Sequence, residues 1–138
     1  MATIRNQVIN AFATKINAVR SLGFVDGIDL PLRSVWDSEE SAEKTQYGNH
    51  EVEMPLQVHV ILKAEAGQVE GDLRDEALGQ LQTDVFTYDP IFNDLITGLA
   101  YIGAQFSYSQ DGDSVIGLSA GFLIKYQFLT TNPNEQGA

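Results

Sequence analysis

The sequence predicts an α/β fold of the α+β type, with a mainly antiparallel sheet of about four strands and two helices packed on one face. Two segments repeat apolar residues at helical spacings of three and four, and three long segments alternate apolar and polar residues. The predicted order is helix, two strands, helix, short turn, two strands. Because strands that are close in sequence usually pair, this order favours an antiparallel sheet covered by helices.

Length and composition indicate one domain. The 138 residues fit the usual size of a single domain, on the order of 100–150 residues. We expect this domain to span residues 1–130 and residues 131–138 to form a flexible, frayed tail, because that tail has no apolar content. The first residues lack a signal-peptide pattern, and no apolar run has the length needed to cross a membrane. The absence of cysteine excludes disulfides and cysteine-ligated metals.

The chain is strongly acidic, and this limits the kinds of partner that it can bind. Nineteen acidic residues against 8 basic ones give a formal net charge of −11, and this disfavours binding a polyanion through a basic patch. The acids concentrate in two groups, Glu39, Glu40 and Glu43, and then Glu65, Glu70, Asp72, Asp75 and Glu76. Both groups are typical of a solvated surface and a helix start. The alternative is that some acids face a channel through which a polyanion slides without sticking.

An amphipathic helix opens the chain. Thr3 is its predicted N-cap, and we expect it to run from Ile4 to Val19 and to end at Gly23. Its apolar stripe is Ile4, Val8, Phe12, Ile16 and Val19. After a turn-rich link, a short strand is predicted from about Leu32 to Asp37, and it contains Trp36.

The segment 38–49 is predicted to form a long mobile loop. The segment is polar and charged, and loops of about a dozen residues are usually functional or ordered only by a partner. The alternative is an ordinary flexible hairpin connection. As partner contacts in this loop we select Glu39, Glu40, Glu43, Lys44 and Tyr47.

A long strand is predicted from His50 to Ala64. Met54, Leu56, Val58, Val60 and Leu62 fall on one face, and Gln57, His59 and Lys63 fall on the other. Pro55 lies inside this run. Because proline cannot donate to a ladder, we expect a sheet edge or a bulge at that position.

A second helix is predicted from apolar residues that recur at helical spacing. We expect Asp72 to be its N-cap and the helix to reach Val85 or Phe86. Its apolar stripe is Leu73, Ala77, Leu78, Leu81 and Val85. An Asp-Pro turn then starts a short helical turn with three predicted apolar anchors, Ile91, Phe92 and Leu95.

Two alternating segments after Gly98 predict a long antiparallel hairpin. In its first strand, Ala100, Ile102, Ala104, Phe106 and Tyr108 alternate against Tyr101, Gln105 and Ser107. The turn spans residues 110–114 and has the Asp-Gly pair typical of hairpins. From this turn we select Gln110, Asp111 and Asp113 as partner contacts.

The sheet face opposite the helices is the predicted subunit interface. It is expected to carry His59, Lys63, Tyr101, Gln105, Lys125 and Gln127. Such a mixed polar and aromatic face suits an interface, and a plain solvated sheet face is the alternative. From this face we select Tyr101 and Lys125 as contact residues.

No catalytic, metal or cofactor site is predicted. His50 and His59 are an odd number of residues apart on one strand and should lie on opposite faces. Asp111 and Asp113 lack the spacing and the later Glu of a calcium loop. The acid pairs Glu51/Glu53 and Asp75/Glu76 are more typical of a surface than of acid–base catalysis. The glycines form no phosphate-binding motif.

The layout of nearly the whole chain resembles the tail-terminator proteins of long-tailed bacteriophages. Its motifs are patterns of helix, turn and strand rather than invariant chemical groups. In the second half they are the helix 73–85, the turn 87–90, residues 95–99, the acidic turn 111–113 and the strand 121–128. In the first half they are the helix 4–19, residues 24–27, residues 33–36 and the strand 58–62.

The resemblance implies a structural protein of the virion, assembled in the host cytoplasm. Tail terminators form a hexameric ring on the last ring of tail-tube subunits, stop polymerisation and meet the neck. The implied partners are other copies of the chain, the tail-tube protein, a neck or connector protein, and the sheath where the tail is contractile. DNA would pass through the ring without specific binding, and acidic lumen walls would avoid trapping it. The loop and turn selected above would then contact the tube or neighbouring subunits.

Two alternatives stay open. A head–tail connector of the neck has a similar fold and is the alternative within phage structure. From a different class, a small acidic ligand-binding module or enzyme would need convergent polar groups in an apolar cleft, and the sequence places none.

Overall fold

A computed structural model describes residues 3–20, 32–37, 41–44, 49–63, 67, 69–107, 115–129 and 132–136. The helices in these ranges are α1 (Ile4–Lys15), α2 (Glu70–Phe86) and α3 (Pro90–Asn93). The strands are β1 (Val19–Arg20), β2 (Leu32–Asp37), β3 (Ser41–Lys44), β4 (Asn49–Lys63), β5 (Gly98–Ser107), β6 (Val115–Leu129) and β7 (Asn132–Gln136).

The strands form one sheet in the order β1-β2-β4-β6-β5, with β3 added beside β4 and β7 beside β6. Antiparallel ladders join β2, β4, β6 and β5. The one parallel pair within the described ranges joins β1 to β2. The predicted α+β fold with a mainly antiparallel sheet is therefore confirmed. Three short strands, β1, β3 and β7, enlarge the sheet beyond the four that were predicted.

One face of the sheet carries the hydrophobic core. Every second residue of β4, from Val52 to Val60, is buried there, because side chains alternate between the two faces of a strand. Both long helices cover this face, as predicted. The largest fully buried side chains are Tyr126, Phe12, Phe92, Phe122, Ile9, Ile16, Met54, Leu56, Leu81, Ile116, Ile124 and Val8.

Phe122 of β6 links the helices to the sheet. Its ring centroid lies 6.0 Å from that of Phe12 in α1, 6.2 Å from Phe86 in α2 and 5.6 Å from Tyr101 in β5. Phe92 of α3 adds a further contact, with its ring centroid 5.6 Å from that of Phe12. Aromatic pairs at such tilted geometries contribute about 0.5–1.5 kcal/mol beyond their buried area. This cluster therefore fixes how the three helices sit on the sheet.

The first helix begins as predicted. The Thr3 hydroxyl accepts a hydrogen bond from the backbone N–H of Asn6 at 3.1 Å, which satisfies one free donor of the first turn. Ile4, Val8, Phe12 and Ile16 of the predicted stripe are all buried.

The end of α1 corrects the prediction. Asn17 adopts a left-handed conformation with φ 54°, and the N–H of Ala18 donates to the carbonyl of Ala13 at 2.8 Å. This is the bonding of a Schellman motif, which terminates a helix. The predicted continuation to Val19 and the predicted end at Gly23 are therefore wrong. Val19 lies in β1, beside Ser34 of β2.

The second helix begins three residues earlier than predicted. Its N-cap is Val69, whose side chain makes no capping bond, so the N-cap assignment of Asp72 is wrong. Asp72 instead lies in the first turn, where its charge still complements the helix dipole. Along the predicted stripe Leu81 and Val85 are buried, and the residues nearer the start are partly buried.

Two segments that were predicted to lack structure are strands. Residues 41–44 of the predicted loop form β3, which pairs with residues 50–53 of β4. Residues 132–136 of the predicted tail form β7, which pairs with the end of β6, and the Gln136 amide donates to the carbonyl of Asp94 at 2.8 Å. Both strands are polar, so an apolar alternation could not indicate them. They are held by backbone pairing with longer strands.

Pro55 lies at an interruption of the ladder. On the β6 side it stands opposite Leu123. On the other side, β2 pairs with β4 only as far as Leu56, and β3 pairs from Glu53 onward. Within the described ranges, β4 is therefore an inner strand with a local edge at its proline. Proline is tolerated there because no donor is needed on the unpaired side.

Candidate interaction surface

The face of the sheet opposite the helices is the main candidate site, and we call it the open face. It is formed by the odd-numbered residues of β4 and β6, since the even-numbered residues point into the core. Gln57 and His59 are exposed on it, as predicted. Lys63, the last residue of β4, is also exposed, and it borders the cleft beside α2 that is described below. In the described part of the chain, both α1 and α2 pack on the opposite face. No helix of the described ranges therefore covers the open face.

Polar contacts tie the strands together across the open face. Lys125 forms an ion pair with Glu53 at 3.3 Å, directly across the β4–β6 ladder. The Ser119 hydroxyl donates to the Gln57 side-chain oxygen at 2.8 Å. Exposed pairs of this kind contribute only about 0.2–1 kcal/mol each. They order the surface more than they stabilise the fold, and they place the selected contact residue Lys125 on the open face.

An aromatic pair lies beside these polar contacts. The Trp36 ring meets the His59 ring edge-on, with their centroids 6.0 Å apart. The Trp36 indole N–H donates to the Ser34 hydroxyl at 3.0 Å, which holds the ring against the sheet. Half-exposed tryptophan is enriched in protein interfaces. Trp36 was placed in its strand from the sequence, but its position on the open face became visible only with the β2–β4 register.

Tyr101 does not lie on the open face, and this part of the prediction is wrong. It pairs with Phe122 and packs on that ring from the core side. The cause is a bulge, since the β5–β6 register shifts between Tyr101 and Gly103, where φ is 151°. The extra residue turns Ile102 to the open face, with 58% of its surface exposed. Glycine inside a strand pattern is a known sign of a bulge, so Gly103 was the signal that could have shown it.

The selected loop and turn residues fall partly in the described ranges. Glu43 and Lys44 lie in β3, at register positions opposite Glu51 and His50. The remaining selected contacts lie outside the described residues, and these are Glu39, Glu40, Tyr47, Gln110, Asp111 and Asp113.

The two histidines lie apart. His50 stacks on Phe128 with ring centroids 5.0 Å apart, whereas His59 contacts Trp36 on the open face. Their predicted placement on opposite faces is confirmed. Among the described residues, no group of three or more histidine and acidic side chains is positioned to hold a metal ion.

A cleft lies between the first half of α2 and the sheet, and we call it the α2 cleft. Its volume is about 300 Å³ and its lining is mostly apolar. It is lined by Arg33, Val60, Leu62, Lys63, Leu73, Glu76, Ala77 and Gln80. Arg33 is already bound, to the Asp84 carboxylate and to the carbonyl of Ile16, both at 2.8 Å. Sequence patterns did not indicate this cleft, because its residues come from three separate elements.

A second exposed feature is the corner between α2 and α3, and we call it the corner patch. It consists of Phe86, Tyr88 and Ile91, which are 49%, 69% and 75% exposed. Ile91 was predicted to anchor the short helix in the core, and this is wrong. Asp89 caps α3 by accepting the Ile91 N–H at 3.0 Å. Phe92, which was also a predicted anchor, is fully buried, so that part of the prediction is confirmed.

Comparison with models of known protein families gives no match, and comparison with curated protein sequences gives none either. Within the described residues, no helix combines the length and the apolar character needed to span a membrane.

Proposed function

We propose that the chain is a structural subunit of a phage tail, a tail terminator that forms a hexameric ring on the tail tube. In this role it stops tube polymerisation and joins the tube to the neck. The observation that carries the proposal is the open face together with the terminal strand β5. Both helices lie on the other face, so the surface left over suits association with another protein.

The strand β5 supports this role because it ends the described sheet order. Ile102 and Phe106 on it are 58% and 42% exposed, although both are large apolar residues. An edge strand with exposed apolar side chains is a surface that proteins normally cover. A neighbouring subunit in a ring would cover it.

The ring also gives a reason for the acidic composition. A net charge of −11 on each of six copies would give a ring that repels DNA. The genome would then pass without binding, since binding to DNA depends on basic side chains that displace counterions.

A tube-length assay tests the proposal. Tail-tube protein of the same phage is polymerised with and without the chain, and tube lengths are measured by electron microscopy. We expect shorter tubes of narrower length distribution, each with one capped end. Tubes that lengthen equally in the presence of the chain would contradict the proposal.

A matched pair of variants connects the assay to the surface. Ile102→Glu places a charge on the open face, and we expect it to abolish capping. Val69→Glu makes the same chemical change at a residue that is 62% exposed and precedes α2, and we expect it to cap normally. Equal capping by both variants would show that the open face has no role in capping.

The head–tail connector is the alternative within phage structure, and the same assay separates it. A connector binds the neck and leaves tube length unchanged. The α2 cleft favours a third candidate, a small ligand-binding module, because pockets of this kind combine an apolar lining with a few polar groups. Arg33, the most enclosed cation of the cleft, already forms an ion pair with Asp84, so it is not free to bind a ligand. For this reason we prefer the ring to the ligand-binding module.

A further inference from the structure

Four strands of the described sheet pair on one side only, and they are β1, β3, β5 and β7. Such edge strands carry unpaired backbone groups, and proteins protect them by shortness, by charged residues or by proline. β1 has 2 residues. β3 has 4 residues and includes Glu43 and Lys44, and β7 has 5 residues and includes Pro133 and Glu135. Three of the four edges are therefore poor places for a further strand to pair.

The strand β5 lacks these protections. It has 10 residues, Gly98–Ser107, and contains neither a charged residue nor proline. The bulge between Tyr101 and Gly103 divides it, but the two parts still have the length of short strands. An extended segment of another protein can pair with a free sheet edge of this kind, which is a common mode of recognition.

The undescribed segments inside the chain are too short to pair with the middle of β5, at residues 100–103. The 7 residues that join β5 to β6 extend to at most about 25 Å, whereas running back to residue 102 and returning takes more than about 30 Å. The 11 residues 21–31 join β1 to β2, and crossing the sheet and returning would use about 40 Å, their whole extended length. The other such segments have 4 residues or fewer. A strand that pairs with the middle of β5 therefore does not come from these segments.

Apolar side chains flank this edge on both faces of the sheet. Ile102 is exposed on the open face, and Tyr101 and Phe106 are partly exposed on the covered face. Side chains of an added strand would lie beside them, and cross-strand pairs with aromatic or β-branched residues are favourable. The partner that suits β5 is therefore an extended, uncharged segment with apolar side chains.

A second copy of the chain is a poor donor of such a segment. Its β1, β3 and β7 are short or carry charges and proline, so only its own β5 is left among the described strands. Two β5 strands that pair with each other are related by a twofold axis, and that contact closes after two copies instead of forming a ring. It would also bring together two chains that each have a formal charge of −11. A different protein is the better partner.

We propose that an extended, uncharged segment of another protein adds to β5 as a further strand. This proposal rests on the proposed function, under which the donor is the tail-tube subunit that faces the ring. The neighbouring subunit that covers β5 is then a subunit of the tube. One unprotected edge accepts the tube, while the protected edges offer no template for a further strand, and this would stop polymerisation.

Hydrogen exchange of single backbone amides tests the proposal. Tubes of tail-tube protein from the same phage are capped with the chain, and exchange in β5 is compared with that of the free chain. Alternate N–H groups of an edge strand point away from its one neighbour, so they exchange fast in the free chain. We expect these amides around Ala100 to slow by about 10-fold or more in capped tubes. Amides of β3 and β7 are the internal control and should not slow.

Proline at two neighbouring positions gives a second, independent test. Of Leu99 and Ala100, one N–H points to β6 and the other points away from it. Proline is tolerated where the N–H points outward, so one of Leu99→Pro and Ala100→Pro should stay folded in urea denaturation. We expect that folded variant to lose capping, because it cannot donate to an added strand. Leu99→Ala is the control for loss of the leucine side chain and should cap normally.

Three outcomes would overturn the inference. If capped tubes show no slowing in β5, or the folded proline variant caps normally, other surfaces hold the tube and the proposed function stands. If the outward amides are already slow in the free chain, the edge is occupied without the tube, and a dimer in native mass spectrometry would identify a second copy as the occupant. If the unaltered chain does not cap tubes, the proposed function fails and strand addition by the tube fails with it.

Discussion

The two faces of the central sheet use the same strands for different purposes. On the covered face, Met54, Leu56 and Val58 of β4 are fully buried under two helices. On the open face, their neighbours Gln57 and His59 are exposed, and Gln57 accepts a hydrogen bond from Ser119 while His59 contacts Trp36 edge-on. Burial of apolar surface provides most of the stability of a fold, so the covered face should determine folding. The open face contributes less to stability, which is compatible with the role in association that we propose for it.

The largest loss of stability is expected from a substitution at the centre of the covered face. Phe122→Ala leaves a cavity among Phe12, Phe86 and Tyr101. We expect the free energy of unfolding to fall by about 3–5 kcal/mol, because both the transfer energy of the ring and the packing around it are lost. Urea denaturation followed by circular dichroism measures the loss.

The neighbouring residue provides the control for this substitution. Leu123 is the next residue of β6 and lies on the open face, partly buried. Leu123→Ala should cost less than about 2 kcal/mol, since less apolar area leaves the protein interior. Equal losses at Phe122 and Leu123 would show that the two faces do not differ as described.

The bulge in β5 offers a sharper test, since it decides which side chain meets which face. Gly103 has φ 151°, a conformation that side chains with a Cβ rarely adopt, and no atom lies within 4 Å of the position of an added Cβ. Gly103→Ala should therefore cost about 1–3 kcal/mol through backbone strain alone. Thermal and urea unfolding would detect this loss.

Gly79 is the matched position for that comparison. It lies in α2 and also has no atom within 4 Å of an added Cβ, but its φ is not positive. Gly79→Ala should stabilise the protein by about 0.5–1 kcal/mol, because alanine favours helix. If Gly103→Ala stabilised the protein as well, β5 would run without the bulge and Tyr101 would leave the covered face.

The smallest expected effect concerns the ion pair on the open face. Lys125 and Glu53 are both partly exposed, so the coupling energy between them should be about 0.2–1 kcal/mol. A double-mutant cycle with Lys125→Ala and Glu53→Ala measures it, and added salt should reduce it. A coupling energy well above this range would mean that the open face also helps to hold the fold.

The regular elements were predictable from the sequence because their signals are local. The apolar period identified α1, α2, β4 and β6, and the predicted bounds of β2 agree with the structure. Thr3 was identified as the first N-cap by its position alone. The early end of α1 was missed because Asn17, rather than glycine, takes the left-handed position.

The candidate surfaces were less predictable because they depend on register and on distant segments. A bulge of one residue moved Tyr101 to the covered face and Ile102 to the open face. β3 and β7 are polar and are specified by pairing rather than by alternation. The α2 cleft combines residues of β2, β4 and α2, whose proximity appears only in the folded chain.

Native mass spectrometry of the chain, alone and after mixing with tail-tube protein of the same phage, tests the central proposal most directly. The proposal predicts an assembly of six copies, either free or at the end of the tube. A chain that stays monomeric in both samples, and never joins the tube, would contradict it.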